Sequence, residues 1–277
     1  SSLTLKINAD GSTVFRFYYS RNSYDVVLTA GTGIDKLSLV GAGTYQYGDT
    51  VTIDCDNAPG YNWSEWRWTR TNSRYTTNKR QSFVIRDNYY LTAIGVKGQY
   101  NLTVIPLDNS DSGSNNVIWD DNTSTKTYNK GNTYNTKLTY NETRDIKHPE
   151  RVGYTFTSWT KIENGTSRYE STLENDIFTQ GANDTTLIAN WQPDEVNYTV
   201  NYYFQNNTLS GWERDNYISG TFTATADSYV TPDTNNRDGF KTPSSQTKRI
   251  KPDGSTVFNF YYNRNTLTLT YNVNDKY

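Results

Sequence analysis

The sequence contains one histidine, His148, and one cysteine, Cys55. Ser–His–Asp or Cys–His catalysis needs a base beside its nucleophile and held by a third group. A zinc site needs three or four nitrogen or sulfur ligands. His148 directly precedes Pro149 and reads as a solvated loop residue. Cys55 shares a strand face with Val51 and Ile53, so it reads as a buried, inert thiol. Carboxylates are numerous enough for a glycosidase pair. They fall in turns, however, as at Asp108, Asp111, Asp120 and Asp121, and read as solvated turn groups. Asp108-x-Ser110-x-Ser112-Gly113 opens like an EF-hand loop, but Trp119 stands at the twelfth position, where that loop needs a bidentate Glu. A looser calcium site in the same stretch is an alternative. No phosphate-cradling or dinucleotide-binding glycine motif occurs. The expectation is a protein that is not an enzyme, with no catalytic residue, no cofactor and no metal ligand.

One stretch carries the residue types of recognition. From Arg67 to Arg80 there are five basic residues and no acid, and the stretch follows Trp63 and Trp66. Arg and aromatic side chains dominate binding hot spots, and aromatic faces stack on sugar rings. Arg67, Trp68, Arg70, Arg74 and Tyr75 are therefore the candidate ligand-binding residues. The competing reading is a solvated hairpin whose Trp residues are core; Trp68 shares strand parity with Trp66 and is a candidate for burial.

The elements that must position these residues are strands. The hydrophobic fraction is only 34%, but 15% of the residues are aromatic, and aromatic rings bury enough area to build small cores. Val196, Tyr198, Val200 and Tyr202 alternate with polar residues, as do Leu267, Leu269, Tyr271 and Val273. Pro252-Asp253-Gly254 predicts a hairpin turn. Helix signals are few, and the best is Ser171-Thr-Leu-Glu174, a capping-box pattern before a short helix. The net charge of −2 gives no field that would gather nucleic acid. No apolar run approaches the roughly 20 residues that span a bilayer.

Repeats organise the chain. Asp10-Gly-Ser-Thr-Val-Phe-Arg-Phe-Tyr-Tyr-Ser-Arg-Asn22 recurs at 253–265 with eleven of thirteen positions identical. In the second copy Phe258, Phe260 and Tyr262 form a core face, and Tyr261, like its earlier copy Tyr18, faces out. Gly60-Tyr-Asn-Trp63-Ser-Glu-Trp66 matches Gly153-Tyr-Thr-Phe156-Thr-Ser-Trp159. The expected modules are 23–98, 99–194 and 195–265. Residues 1–22 read as the closing hairpin of a preceding module and 266–277 as the first strand of a following one, so the pattern is expected to continue on both sides.

Residues 99–194 resemble the internalin-type B-repeat (Listeria–Bacteroides repeat) family. The resemblance rests on Gly153-Tyr-Thr-Phe156-Thr-Ser-Trp159, Asn164-Gly165 and Asp184-Thr-Thr-Leu187-Ile-Ala-Asn-Trp191. Residues 23–98 resemble a divergent relative, through Gly43-Thr-Tyr45-Gln-Tyr-Gly48-Asp-Thr-Val51 and Gly60-Tyr-Asn-Trp63-Ser-Glu-Trp66. Residues 195–265 are similar to mucin-binding-protein repeats, through Val200-Asn-Tyr-Tyr203, Gly239-Phe240 and Asp253-Gly-Ser-Thr-Val-Phe-Asn-Phe-Tyr-Tyr262. These resemblances imply tandem β-grasp-like modules, a mainly β fold (small α+β), on a bacterial surface protein, often an adhesin; the low Cys, absent Met and abundant Asn, Thr and Tyr resemble secreted, wall-attached Gram-positive surface proteins.

The junctions at 98–100 and 192–194 are short and lack the Gly/Ser-rich composition of flexible linkers, so an end-to-end rod is expected. The functional expectation is binding of a host component, a mucin-type glycoprotein or an immunoglobulin. Nucleic acid and membrane insertion are not expected, and adjoining modules of the same parent chain are. Alternatives are a stalk that projects another domain, and an accessory carbohydrate-binding region of a secreted enzyme.

Overall fold

The computed structural model describes residues 4, 6–170 and 173–271. The chain forms two compact units, 1–99 and 100–277. Among the described residues it is nearly all β, and the helical content is two three-residue 3-10 turns, Lys36–Ser38 and Glu174–Asp176. Ser171 and Thr172, the start of the capping-box pattern, lie outside the described residues.

Unit 1 contains β1 (Ser23–Ala30), β2 (Gly43–Gln46), β3 (Thr50–Ile53), β4 (Tyr61–Trp68), β5 (Arg74–Thr76), β6 (Gln81–Val84) and β7 (Tyr89–Lys97). Five of them form a sheet in the order β2-β1-β7-β4-β5, while β3 and β6 pair separately. The first strand and the last strand lie side by side and parallel, Val26 opposite Tyr89 and Ala30 opposite Ala93. Along β7, Leu91 and Ala93 point into the core while Thr92 and Ile94 alternate away. Core partners include Val26, Ile53, Trp66 and Ile85, all buried. Burying one such large aliphatic side chain contributes about 1.5–3 kcal/mol.

Unit 2 contains two sheets of the same kind. The strands of the first are β8 (Gln99–Ile105), β9 (Val117–Asp120), β10 (Thr125–Tyr128), β11 (Tyr134–Thr139), β12 (Thr143–Asp145), β13 (Tyr154–Glu163), β14 (Thr166–Glu170), β15 (Ile177–Thr179) and β16 (Thr185–Pro193). The sheet order is β11-β8-β16-β13-β14, with β9–β10 and β12–β15 as side pairs. Again the first and last strands are parallel neighbours, Leu102 opposite Thr185.

The second sheet uses β17 (Glu195–Gln205), β18 (Trp212–Arg214), β19 (Gly220–Thr225), β21 (Phe240–Lys241) and β23 (Thr256–Arg264); β20 (Tyr229–Val230) pairs with β22 (Lys248–Arg249). Here β17 and β23 are the parallel centre, from Tyr198 opposite Thr256 to Phe204 opposite Tyr262. Phe258, Phe260 and Tyr262 face the core, and Tyr261 faces out.

The shared aromatic motif has a mechanical meaning. In β4 the register against β7 slips between Trp63 and Glu65, and in β13 the register against β16 slips between Phe156 and Ser158. Each slip is a β-bulge, one extra residue on the bulged strand. Residues three apart on a regular strand face opposite sides. The bulge returns both to one side, so Trp63 meets Trp66 at 5.6 Å and Phe156 meets Trp159 at 5.2 Å between ring centroids.

Among the described residues, 6–22 form a turn at Ala9–Asp10 and no strand. The near-identical 253–265 is a strand because β17 and β21 supply its hydrogen-bonding partners. Residues 266–271 form no strand either, and Val273 lies outside the described residues. Pro252-Asp253-Gly254 does turn the chain, with Gly254 at φ +75° and Ser255 N–H on Asp253 Oδ1 at 3.0 Å. It joins β22 to β23, which are not paired with each other, so it is not a hairpin turn.

Candidate functional site

The basic stretch of unit 1 occupies β4, β5 and the chain up to β6. Its acid comes from within β4 and from the turn after β3. Glu65 is buried and accepts from Arg67 Nε at 2.5 Å and from Arg74 Nε. The Arg74 and Arg67 guanidiniums together hold its carboxyl below the usual range. Lys79 pairs with Asp56 at 3.1 Å and Arg80 with Asp54 at 3.5 Å. Arg70, in the exposed β4–β5 turn, makes no ion pair among the described residues.

The aromatic members lie inward. Trp68 stacks on Tyr89 at 5.7 Å and meets Tyr75 edge-on at 5.1 Å; Tyr75 also touches Phe83 at 6.0 Å. Trp63 and Trp66 donate their indole N–H groups to the Thr77 and Lys79 carbonyls at 2.7 and 2.8 Å. Arg67, Trp68, Arg74 and Tyr75 thus sit together, but they serve the hairpin's own packing and charge balance. What faces outward is Arg70 and the open side of Arg74, whose side chain is 68% exposed.

The other chemical groups are absorbed by structure. Burial pushes the Cys55 thiol up to about 11. His148 is half-exposed in its loop, with Nε2 2.7 Å from Asp176 Oδ1 and its ring 4.8 Å from Phe156, so it is partnered and not simply solvated. The expectation for Asp121 is corrected: it is buried, not a solvated turn group. It accepts from Lys126 Nζ at 2.6 Å, from the Thr123 and Ser124 backbone and from the Tyr128 hydroxyl. Burial opposes its charge, but those donors outweigh it and hold the carboxyl well below the carboxylate range. In the EF-hand-like stretch Asp111 binds the Arg151 guanidinium through both oxygens, at 2.8 and 3.0 Å. Among the described residues no group of three or more His, Cys, Asp or Glu is placed to hold a metal ion.

In unit 2 the two sheets meet around Asp227. It accepts from Tyr154 Oη at 2.5 Å, from Ser114 N at 3.0 Å and Oγ at 2.8 Å, and pairs with Arg249 at 2.9 Å. Gly153, at φ +71°, lies so close to Pro252 that a Cβ there would come within 2.6 Å of it. The side chain of Arg151 is fully buried beside this contact, 3.7 Å from the Tyr154 ring centroid.

Sequence reasoning passed over the outer face of the third sheet. Tyr203 and Tyr261 stack there at 4.9 Å, and Trp212 meets Tyr261 at 5.7 Å, nearly perpendicular. Trp212 spans β17 to donate to Asn263 Oδ1 at 3.2 Å. Arg214 donates to Asn201 Oδ1 at 2.8 Å and to Asn216. The available signal was the alternation Trp212-x-Arg214 on a strand register with Tyr203. On the opposite side a groove of about 430 Å³ is lined by Tyr198, Tyr202, Phe222, Pro232, Arg237 and Tyr262.

Small sheets with a parallel first–last centre, repeated in tandem and bulged at the same aromatic pair, define a β-repeat module. The family model of the divergent InlB B-repeat domain matches residues 24–94 and 121–195, more than half of the chain. The chain belongs to this family, which is a family of surface-protein repeats and not of enzymes. Both matches contain the bulged aromatic pair, and the second begins later than the module boundary read at residue 99. No curated protein matches the chain. Among solved structures, the Bacillus anthracis TIE protein is similar over 89% of this chain and 51% of its own, with 12% identity and a TM-score of 0.32. A double mutant of the shaft pilin SpaA from Lactobacillus rhamnosus GG is similar over 82% of this chain and 66% of its own, with 10% identity and a TM-score of 0.14. The chain therefore spans about half the length of the first of these. Among the described residues no helix is long and apolar enough to cross a membrane.

Proposed function

We propose that the chain is the host-binding repeat region of a Gram-positive, wall-attached adhesin whose target is a mucin-type glycoprotein or an immunoglobulin. The observation that carries this reading is exposed arginine and aromatic surface without a charge partner. Arg70 in unit 1 has no ion pair among the described residues, and Trp212 and Tyr261 in unit 2 remain 46% and 47% exposed beside Arg214. Arg, Trp and Tyr are the residues in which binding energy concentrates. The resemblance of residues 195–265 to mucin-binding repeats supports the same target class.

A second reading, a stalk, is favoured by the Asp227 cluster and the Gly153–Pro252 contact, which lock two sheets together as a spacer would require. Pull-downs from mucus and serum with the whole chain, beside a glycan screen, separate the two. Saturable capture of a mucin or an immunoglobulin is expected. Silence in every arm would leave the stalk.

A further inference from the structure

The outer face of the third sheet has an unusual composition. Counting from the register, it presents Asn201, Tyr203 and Gln205 from β17, Tyr261 and Asn263 from β23, and Trp212 and Arg214 from β18. The opposite face of the same strands carries the core residues Val200, Phe258, Phe260 and Tyr262. A face turned to solvent needs no stacked aromatic rows for folding, yet on this one Tyr261 stacks on Tyr203 and meets Trp212.

Its charge is also one-sided. Arg214 spends its guanidinium on two neutral amide oxygens, those of Asn201 and Asn216, and makes no ion pair among the described residues. Lys241, opposite Asn263 in the register, adds a second exposed cation. The carboxylate of this face, Glu195, stands at the far end of β17, where Thr225 Oγ1 donates to it at 2.6 Å. A cation held by neutral amides keeps its charge for an anion, which would meet the guanidinium at Nη2 because Nε and Nη1 already donate.

Trp212 and Arg214 sit two residues apart on one face, so their Cα atoms lie about 7 Å apart. Side chains at that spacing can engage a ring and a substituent of the same sugar. Asn201 and Gln205 already use their amide oxygens and nitrogens within the fold, and Asn263 accepts from Trp212, so its Nδ2 is left to donate to a sugar hydroxyl. Single-stranded nucleic acid also stacks on aromatic rings, but it needs a positively charged groove that tracks many phosphates. Two cations on a chain of net charge −2 do not supply one.

We propose that this face binds an acidic oligosaccharide, with a pyranose ring against Trp212 and its carboxylate or sulfate on Arg214. The proposal rests on the host-binding reading above and names its ligand class in the third sheet. The test is calorimetric titration of the whole chain with a chondroitin sulfate hexasaccharide, with its desulfated, carboxyl-reduced counterpart, and with a short oligothymidylate. The acidic hexasaccharide is expected to bind at least tenfold more tightly than the neutral one. Trp212→Ala should abolish binding to both. Arg214→Gln should remove the preference for acid while keeping the neutral affinity. Tyr229→Ala, at a ring 72% exposed on β20, should change nothing. Unaltered far-ultraviolet circular dichroism keeps the variants comparable.

Unchanged titration curves for Trp212→Ala and Arg214→Gln would overturn the proposal. So would equal binding of the neutral hexasaccharide by the unsubstituted chain, or tighter binding of the oligothymidylate. Capture of mucin or immunoglobulin without any oligosaccharide binding would sink this proposal alone. Oligosaccharide binding without host capture would sink the host reading and leave the site.

Discussion

Tyr154 on β13 donates its phenol to Asp227 Oδ2 at 2.5 Å, joining the first sheet of unit 2 to the turn after β19 of the second. Burial and the Asp227 carboxylate together push the phenol up to about 12, so it donates at every physiological pH. Burial opposes the charge of Asp227. Donation from Tyr154 and Ser114 and the Arg249 guanidinium outweigh it, and the folded carboxyl titrates below its ordinary value. A group whose folded pKa is depressed adds stability above its unfolded pKa, about 4 for Asp, and loses it as pH falls through the folded value. The protection factor of the Ala226 amide, which donates to Asp194, should therefore be high at pH 7 and fall below pH ~4. Tyr154→Phe should lower it at pH 7 and flatten its pH dependence.

Trp66 and Trp159 occupy equivalent bulged positions but differ at the indole nitrogen. Trp66 Nε1 donates to the Lys79 carbonyl at 2.8 Å, whereas Trp159 Nε1 has no hydrogen-bond partner among the described residues. Either Trp→Ala change should cost about 3–5 kcal/mol. Trp→Phe should separate them, because only Trp66→Phe strands a carbonyl; its excess cost should be about 1 kcal/mol in urea unfolding.

Glu65→Gln should be more damaging than its place beside surface arginines suggests. It removes the one carboxylate that both Arg67 and Arg74 share, inside the aromatic hairpin. A lower denaturation midpoint for unit 1 is expected, with loss of the near-ultraviolet signal of Trp68 and Tyr75. Arg70→Glu should leave that midpoint unchanged, since Arg70 has no ion pair to lose among the described residues.

Cys55 should resist thiol reagents. Its thiol is buried and raised to about 11, and the reactive form is the thiolate. Labelling by an aromatic disulfide at pH 8 should proceed only at the rate at which unit 1 opens. Fast stoichiometric labelling of the folded chain would show the site to be exposed.

Much of the fold could be read from residues that meet in sequence. The alternation around Tyr198 and the motif Gly-Tyr-x-aromatic-x-x-Trp are local, and they marked the third sheet and the bulged strands. The repeat at 10–22 and 253–265 was legible as a repeat but not as two different structures, because a strand is made by its partners and only the second copy has them. The basic stretch looked unpaired because Asp54, Asp56 and Glu65 lie outside it in sequence and are brought to it by β3, β4 and the turns between. Asp121 read as a solvated turn residue because nothing in its neighbourhood announces that Lys126 and Tyr128 fold back over it. The Trp212 face was missed for the same reason: its rows run across β18, β17 and β23, far apart in the chain.

The most direct measurement is equilibrium binding of the whole chain to immobilised mucin and immunoglobulin, with Arg70→Glu and Trp212→Ala run beside it. Recognition through the exposed arginine and aromatic groups requires saturable binding to at least one target and a tenfold or greater loss in one of the variants. Equal binding by all three chains, or none by any, would contradict it.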